Sequence, residues 1–254
     1  MRRHFRSSFT ALTAVFLLAI ASSAGAVSQG YPLQSIEVDI HNRNTLQRGA
    51  KYFVNYCLSC HSSRYARYKW VGRDLGLSEE MVKKDFIFTD SKVGDLMVVS
   101  MPDEGARNWF GAIPPDLTLA ARARGKDWLY TYLKAFYLDD TRPMGVNNAI
   151  FQHVSMPHVL WDLQGWQKPI YKTIIDEGGT ERQIIADFEL VQPGTLSPEE
   201  YDRVIRDIVT FLSYLAEQAK LDRQRIGVWV IFFLLGFLVV VYLLKKEYWK
   251  DVEK

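Results

Sequence analysis

Two stretches of this chain are apolar without a period, and between them the apolar positions recur at helical spacing. Phe9–Ala21 is a short apolar run behind Arg2, Arg3 and Arg6, followed by Ala24-Gly25-Ala26 in the small-x-small form of a cleavage site. Residues 1–26 therefore predict a secretory signal, the run being too short to span a bilayer comfortably. Ile226–Leu244 carries no charge and is interrupted only by Gly227 and Gly236. That length predicts a transmembrane helix. Trp229 and Tyr242 lie towards its ends, and Lys245, Lys246, Trp249 and Lys250 follow. Lys220, Arg223 and Arg225 precede it, so charge flanks both ends and the leader sets the orientation: body exported, tail inside.

Between these stretches, Asn44 is a candidate N-cap, and Leu46, Ala50, Phe53 and Cys57 fall on one helical face. A helix should thus run directly to Cys57, and Gly49 on it predicts close approach by another element. Ser62–Gly76 is basic and aromatic and reads as a docking face, a haem-propionate lining or a solvated loop with one buried Trp; Ser78-Glu79-Glu80 reads as the start of a short helix, Asp90 as the start of another, and Pro102–Gly111 as an irregular loop. Pro114-Pro115 forces an extended chain. Asp116 then caps a helix to about Arg124, stopped by Gly125, and Lys126–Leu138 predicts an amphipathic helix with Leu129, Leu133 and Phe136 inward. Arg142–Lys168 has few secondary-structure signals. Ser197-Pro198-Glu199-Glu200 is a capping box with proline at the first helical position. Tyr201, Val204, Ile205, Ile208, Phe211, Leu212 and Leu215 mark the apolar face of a long helix ending near Gln218. Its polar face, with Glu199, Glu200, Asp202 and Asp207, predicts packing on the body rather than on lipid.

Composition changes this picture little. Of 254 residues 48% are apolar, enough for a packed core, and a formal charge of +2 gives no reason to expect nucleic acid. The organisation expected is a leader at 1–26, one body at 27–220, and an anchor at 221–254 with its span at about 226–244.

The chemistry concentrates in Cys57-Leu58-Ser59-Cys60-His61, which holds both cysteines of the chain. Cys-x-x-Cys-His is the attachment signal for c-type haem: two thiols at this spacing reach the two vinyl groups of one porphyrin, and the next residue lies under the iron. A thioredoxin-like pair needs no following histidine, and a zinc site needs further thiols or paired histidines. Of the other histidines, His4, His41, His153 and His158, only the last two lie close in sequence. For the second axial ligand the residues leave alternatives open. Met156, stiffened by Pro157, and Met144 are candidates, as are His153 and His158 for bis-imidazole ligation. Met81, Met97 and Met101 read as core fillers.

Leader, early Cys-x-x-Cys-His, central Pro114-Pro115-Asp116-Leu117-Thr118, late Met156-Pro157 and one C-terminal span together resemble the cytochrome c1 family, the haem subunit of the quinol–cytochrome c oxidoreductase (cytochrome bc1) complex. The resemblance covers essentially the whole chain. It implies a mainly α fold, a class I cytochrome c-like haem domain with insertions whose N- and C-terminal helices cross, plus one C-terminal transmembrane helix. Gly49 and the Phe211/Tyr214 region would meet at that crossing. It makes Cys57 and Cys60 the thioether anchors of one haem c, His61 the proximal ligand and Met156 the distal ligand, and puts Arg124, two residues after Arg122, near a haem propionate. Two departures stand out. Met156 runs into Pro157-His158, where many members carry a Pro-Pro pair, and both cysteines being used by haem, no disulfide holds the methionine loop. Packing by Trp161 and Trp166 is expected to hold it instead.

His/Met ligation closes the iron to exogenous ligands and favours one-electron transfer, methionine raising the potential. The resemblance implies that electrons arrive from the Rieske iron–sulfur protein and leave to cytochrome c. It implies cytochrome b as a further partner, a dimeric complex, and a bacterial inner-membrane location with the haem domain periplasmic and the C-terminus cytoplasmic. The chain would be part of an enzyme only as a subunit, the quinol site belonging to cytochrome b. Asp103, Glu104, Asp139 and Asp140 read first as solvated loop charges, with the steering of a basic partner as the alternative. The alternatives are a free-standing membrane-anchored electron carrier, and a five-coordinate haem sensor or peroxidase-like enzyme.

Overall fold

The structure is a computed structural model describing residues 31–175 and 179–252; the expected leader lies outside the described residues. The chain is mainly α, with three two-stranded antiparallel sheets and one long apolar helix.

Helix α1 (Arg43–Tyr52) starts two residues earlier than the expected cap implies. Asn42, not Asn44, receives the Thr45 N–H at 3.2 Å on its side-chain oxygen. The helix runs into a π-turn over Phe53–Cys57, closed by Leu58 N–H on Phe53 O at 3.0 Å, and so hands the chain to the cysteine motif. Strand β1 (Ser63–Arg67) and helix α2 (Tyr68–Leu75) occupy the segment expected to be a loop. Tyr68, Val71, Gly72 and Leu75 bury one helical face, a stripe obscured in the sequence by the charged and aromatic residues between them. Helix α3 (Glu79–Asp85) is capped by Ser78 as expected.

No helix begins at Asp90: the turn there is held by side chains, Ser91 N–H on Thr89 Oγ1 and Lys92 N–H on Asp95 Oδ2, which compete with helical bonding. Strand β2 (Leu96–Met97) pairs with β1 instead. The expected loop at 102–111 is helix α4 (Asp103–Phe110), which buries only Ala106 and so shows no apolar stripe.

Helix α5 (Ala120–Arg124) ends at Gly125, where φ is +89°, and helix α6 (Lys126–Lys134) follows at once. The latter stops four residues short of the expected end. Strand β3 (Phe136–Leu138) takes over because it pairs with β4 (Val146–Asn148). Leu129, Leu133 and Phe136 are buried as expected, the last from a strand. After helix α7 (Trp161–Gln164), strands β5 (Gly165–Ile175) and β6 (Glu181–Pro193) form a long ribbon with two register shifts. Helix α8 (Pro198–Leu215) has the expected capping box, and α9 (Lys220–Tyr248) is the apolar helix, long enough to cross a membrane and unburied in its apolar part.

The core is the crossing of α1 with α8. A Cβ at Gly49 would overlap the Asp207 carbonyl oxygen and stand 2.8 Å from Phe211 Cβ, so the two backbones meet where only glycine fits. Phe53 and Phe211 pack with ring centroids 5.3 Å apart, and Arg48 forks onto the buried Asp207 carboxylate at 2.6 and 3.0 Å. Leu46, Ala50, Ile205, Ile208, Tyr214 and Leu215 complete the contact.

Candidate haem site

Cys57, Cys60 and His61 sit on one turn at the end of the π-turn, bound by Cys60 N–H and His61 N–H to the Cys57 carbonyl at 3.1 and 2.8 Å. Burial, and then the neighbouring Cys60, push the Cys57 thiol up to about 12. A thioredoxin-like pair needs the opposite shift to form its thiolate.

His61 is 8% exposed, with Nδ1 2.7 Å from the Pro115 carbonyl oxygen. A carbonyl only accepts, so Nδ1 carries the proton and donates, leaving Nε2 with a free lone pair. Burial lowers the pKa of the ring, opposed by the Pro115 bond, and the neutral imidazole results. The carbonyl is itself held in place. Leu117 N–H meets Ser62 O at 2.8 Å, while the Asp116 carboxylate accepts from Arg64 N–H at 2.8 Å and Thr118 N–H at 2.9 Å. Pro114-Pro115-Asp116-Leu117-Thr118 is thus laced to the residues directly after the motif. Asp116 serves this loop and does not cap α5, which starts only at Ala120.

Met156 lies in a second cluster with Phe136, Val146, Val154, Met144 and Trp166, and Tyr132 donates its hydroxyl to Met156 Sδ at 3.4 Å. Tyr132 stacks on Trp128 at 4.8 Å, and the Arg124 guanidinium lies 5.1 Å over Trp128 and 6.0 Å from Phe151. Arg124 and Met156 therefore share one aromatic wall. Arg122 points elsewhere, within the field of Glu217 beyond the end of α8. His61 shares no hydrogen bond or ring contact with this wall among the described residues.

His158 is 4% exposed, stacked on Phe136 at 5.1 Å and edge-on to Trp166 at 5.8 Å, and burial drops its pKa to about 4. It is a neutral wall residue. His153 is an exposed loop residue with φ +60°, its Nδ1 3.3 Å from Arg142 Nη1.

The loop carrying Met156 is held by hydrogen bonds that sequence reasoning missed. Asn148 donates to Tyr132 O at 2.8 Å and accepts from Ile150 N–H at 3.1 Å. Asn147 accepts from His153 N–H at 2.9 Å and donates to Asp139 at 2.9 Å. Asp139, read from the sequence as a solvated loop charge or a docking charge, is thereby a loop brace; bonds from Thr141 and Asn147 lower its pKa. Trp161 and Trp166 do stack, at 5.5 Å, and Trp166 packs against the same buried cluster as Met156. Trp128 and Tyr132 were not singled out from the sequence, and their four-residue spacing on an expected helix is the signal that marks them. Nothing in the sequence marked Asn147 and Asn148.

The donor set fits a covalently held haem: two thiols on one turn, an imidazole with Nε2 bare, a thioether braced by a hydroxyl, and a guanidinium on an aromatic wall. With the crossing helices and the apolar anchor, these features define a membrane-anchored protein of the c-type cytochrome class. The model of the cytochrome c1 family matches residues 34–166 and 189–252, passing over most of the β5–β6 ribbon. A cytochrome c1 from Allochromatium vinosum is 50% identical over 95% of this chain and 98% of its own length. The ammonia monooxygenase gamma subunit of Nitrosomonas europaea is 45% identical over 92% of this chain and 93% of its own. A solved chain described as a hyperthermophilic respiratory Complex III covers 99% of both chains at 13% identity, with a TM-score of 0.44, too low to argue from. The chain belongs to the cytochrome c1 family. It is an electron-transfer subunit of the cytochrome bc1 complex, carries a c-type haem, and is anchored in the membrane.

Proposed function

We propose that Cys57 and Cys60 hold the haem through thioethers, that His61 Nε2 and Met156 Sδ are its axial ligands, and that Arg124 neutralises a propionate. The observation that carries this reading is the Pro115 carbonyl bond to His61 Nδ1, which orients the ring and fixes its tautomer. When bound, a His/Met haem supplies a one-electron couple with no open coordination position. The chain's own residues do the rest. Tyr132 steadies the thioether, Asn147 and Asn148 fix its loop, and the wall of Trp128, Tyr132, Phe136 and Trp166 excludes water, which favours the reduced, less charged state.

The family places the chain with cytochrome b and the Rieske protein, and its oxidoreductase activity belongs to the complex. We infer further that electrons leave to a cytochrome c and that the complex is dimeric. In this reading residues 27–220 lie in the periplasm after cleavage of 1–26, and 221–254 form the anchor with the C-terminus in the cytoplasm. The name of the Nitrosomonas europaea relative supports another reading, in which a chain of this kind serves an ammonia-oxidising assembly.

The test compares wild type with Met156→Leu by optical and EPR spectroscopy of the holoprotein. A low-spin His/Met wild type and a variant that loses this signature, with a lowered potential, support the ligand set. An unchanged variant spectrum overturns Met156 as ligand. Isolation of the intact membrane assembly decides between the two readings: copurifying cytochrome b and Rieske protein support the first, copurifying ammonia-oxidising subunits the second.

A further inference from the structure

The neck between α8 and α9 holds a surface that electron transfer does not use. Helix α2 turns Tyr68, Val71 and Leu75 to the core and presents Lys69, Trp70 and Arg73 outward, with Trp70 48% exposed. Its C-terminal end is tied to the neck. Tyr214, in the last turn of α8, donates its hydroxyl to Asp74 Oδ2 at 2.7 Å. Arg73 pairs with Asp74 at 2.8 Å and also lies in the field of Asp222, in the first turn of α9.

These ties set a depth. The uncharged part of α9 begins at Ile226, four residues past Asp222, and four residues of helix rise about 6 Å. The headgroup region extends roughly 5–7 Å beyond the hydrocarbon on each side of a bilayer. With Ile226 at the hydrocarbon edge, Asp222 stands at headgroup level, and the Tyr214–Asp74 bond holds the end of α2, with Arg73, close to that level. Trp70 precedes Arg73 by three positions and is its neighbour on the helix face. An amphipathic ring next to a cation is the side-chain pairing favoured at that depth.

The charge around the neck has the sign a lipid surface attracts. Arg223 and Lys220 share one carboxylate, Glu217, at 2.6 and 3.7 Å, and Arg122 lies in the field of the same group. Arg225 has no ion-pair partner among the described residues. The Arg67 guanidinium sits 5.8 Å over the Trp70 ring, adding a further cation on the same side.

We propose that α2 is a second, interfacial foothold of the body. Its Trp70 face rests in the headgroup layer near the start of α9, with Arg73, Arg225 and Lys69, the last drawn from its exposed pair with Glu79 at 3.4 Å, meeting the phosphates of anionic lipids. The helix is tied to the end of α8, and so to the neck from which the membrane span continues. Its consequence is mechanical: the body is held at a fixed tilt instead of swinging about the short neck at 216–219.

The test uses full-length holoprotein in lipid nanodiscs, spin-labelled at Trp70→Cys and, with Trp70 retained, at Lys69→Cys. A label at Trp109→Cys on α4 is the aqueous reference, and unlabelled wild type controls for the native cysteines. The proposal expects oxygen accessibility to rise and accessibility to a water-soluble nickel chelate to fall several-fold at positions 69 and 70 relative to 109. It expects this contrast to be larger with phosphatidylglycerol than with phosphatidylcholine alone, and Arg73→Glu to remove the extra effect of phosphatidylglycerol while leaving the haem spectrum intact. Labels at 69 and 70 as accessible to nickel as the reference overturn it. So does shielding that appears only in the assembled complex, which would assign the surface to a partner subunit.

Discussion

Asn148 shows what a single buried side chain decides here. It is fully buried, and its amide spans the Tyr132 carbonyl on α6 and the Ile150 N–H on the methionine loop. Asn148→Ala leaves both groups without that partner, at a cost of about 1–3 kcal/mol. The expected outcome is a lower denaturation midpoint together with a growing high-spin fraction, read by optical titration of the holoprotein. A stability loss with the low-spin spectrum fully retained would mean that Asn148 supports the fold but not the position of Met156. At this scale the site was half legible. Cys57, Cys60 and His61 declare themselves by spacing because attachment chemistry acts within one turn. The Pro115 carbonyl carries no side-chain identity, and an asparagine reads as a turn residue until its partners are seen.

Among the elements, α6 and α8 are joined by a charged knot. Lys134 meets Asp202 at 2.6 Å, Arg206 meets it from one turn along α8 at 2.6 Å, and the Tyr130 hydroxyl bonds it as well. Burial alone would raise the Asp202 pKa, yet bonds from Arg206, Lys134 and Tyr130 hold the carboxyl at about 2. A carboxyl depressed in the folded state stabilises it above the unfolded pKa, near 3.9, and that contribution is lost as the pH falls through about 2. Wild type should therefore exceed Asp202→Asn by about 2 kcal/mol at neutral pH, the gap closing between pH 4 and pH 2. Denaturant titrations across that range measure it; a gap independent of pH would refute the charge-based account. The helices α1 and α8 were readable from their period, and α8 from its capping box as well. Helix α4 was not, since it buries one residue, nor was the end of α6, where pairing with β4 overrides a continuing helical pattern.

The whole molecule is a haem body on a single apolar helix, from which the β5–β6 ribbon projects. The base of the ribbon is structural. Gln167 bonds the carbonyls of Lys134 and Phe136 at 2.9 and 2.6 Å, and Phe188 packs with Tyr31 and Tyr137. The outer half is exposed on both faces and falls within 167–188, which the family model skips. Replacing residues 171–184 with a tight turn should leave the haem spectrum unchanged, since a shorter surface loop costs little closure entropy. The thermal midpoint should move by only a few degrees, within the range of about 1 kcal/mol. A lost low-spin signal would show that the ribbon braces the methionine loop through β5.

The sequence by itself determined what local spacing and composition can encode. The haem motif, the apolar helix, the capping box at Ser197 and the glycine of the helix crossing are all short-range signals, each with one physical reading. It also carried the family resemblance, because those signals stand in a fixed order along the chain. Tertiary structure alone decided which partners distant residues find. It set Pro115 against His61 and Arg124 against Trp128, placed Arg122 in the field of Glu217, turned Asp139 from a loop charge into a brace, and tied α2 to the end of α8 through Tyr214. Hydrogen bonds and packing between segments far apart in the chain leave no periodic trace in either segment, so only the folded chain displays them.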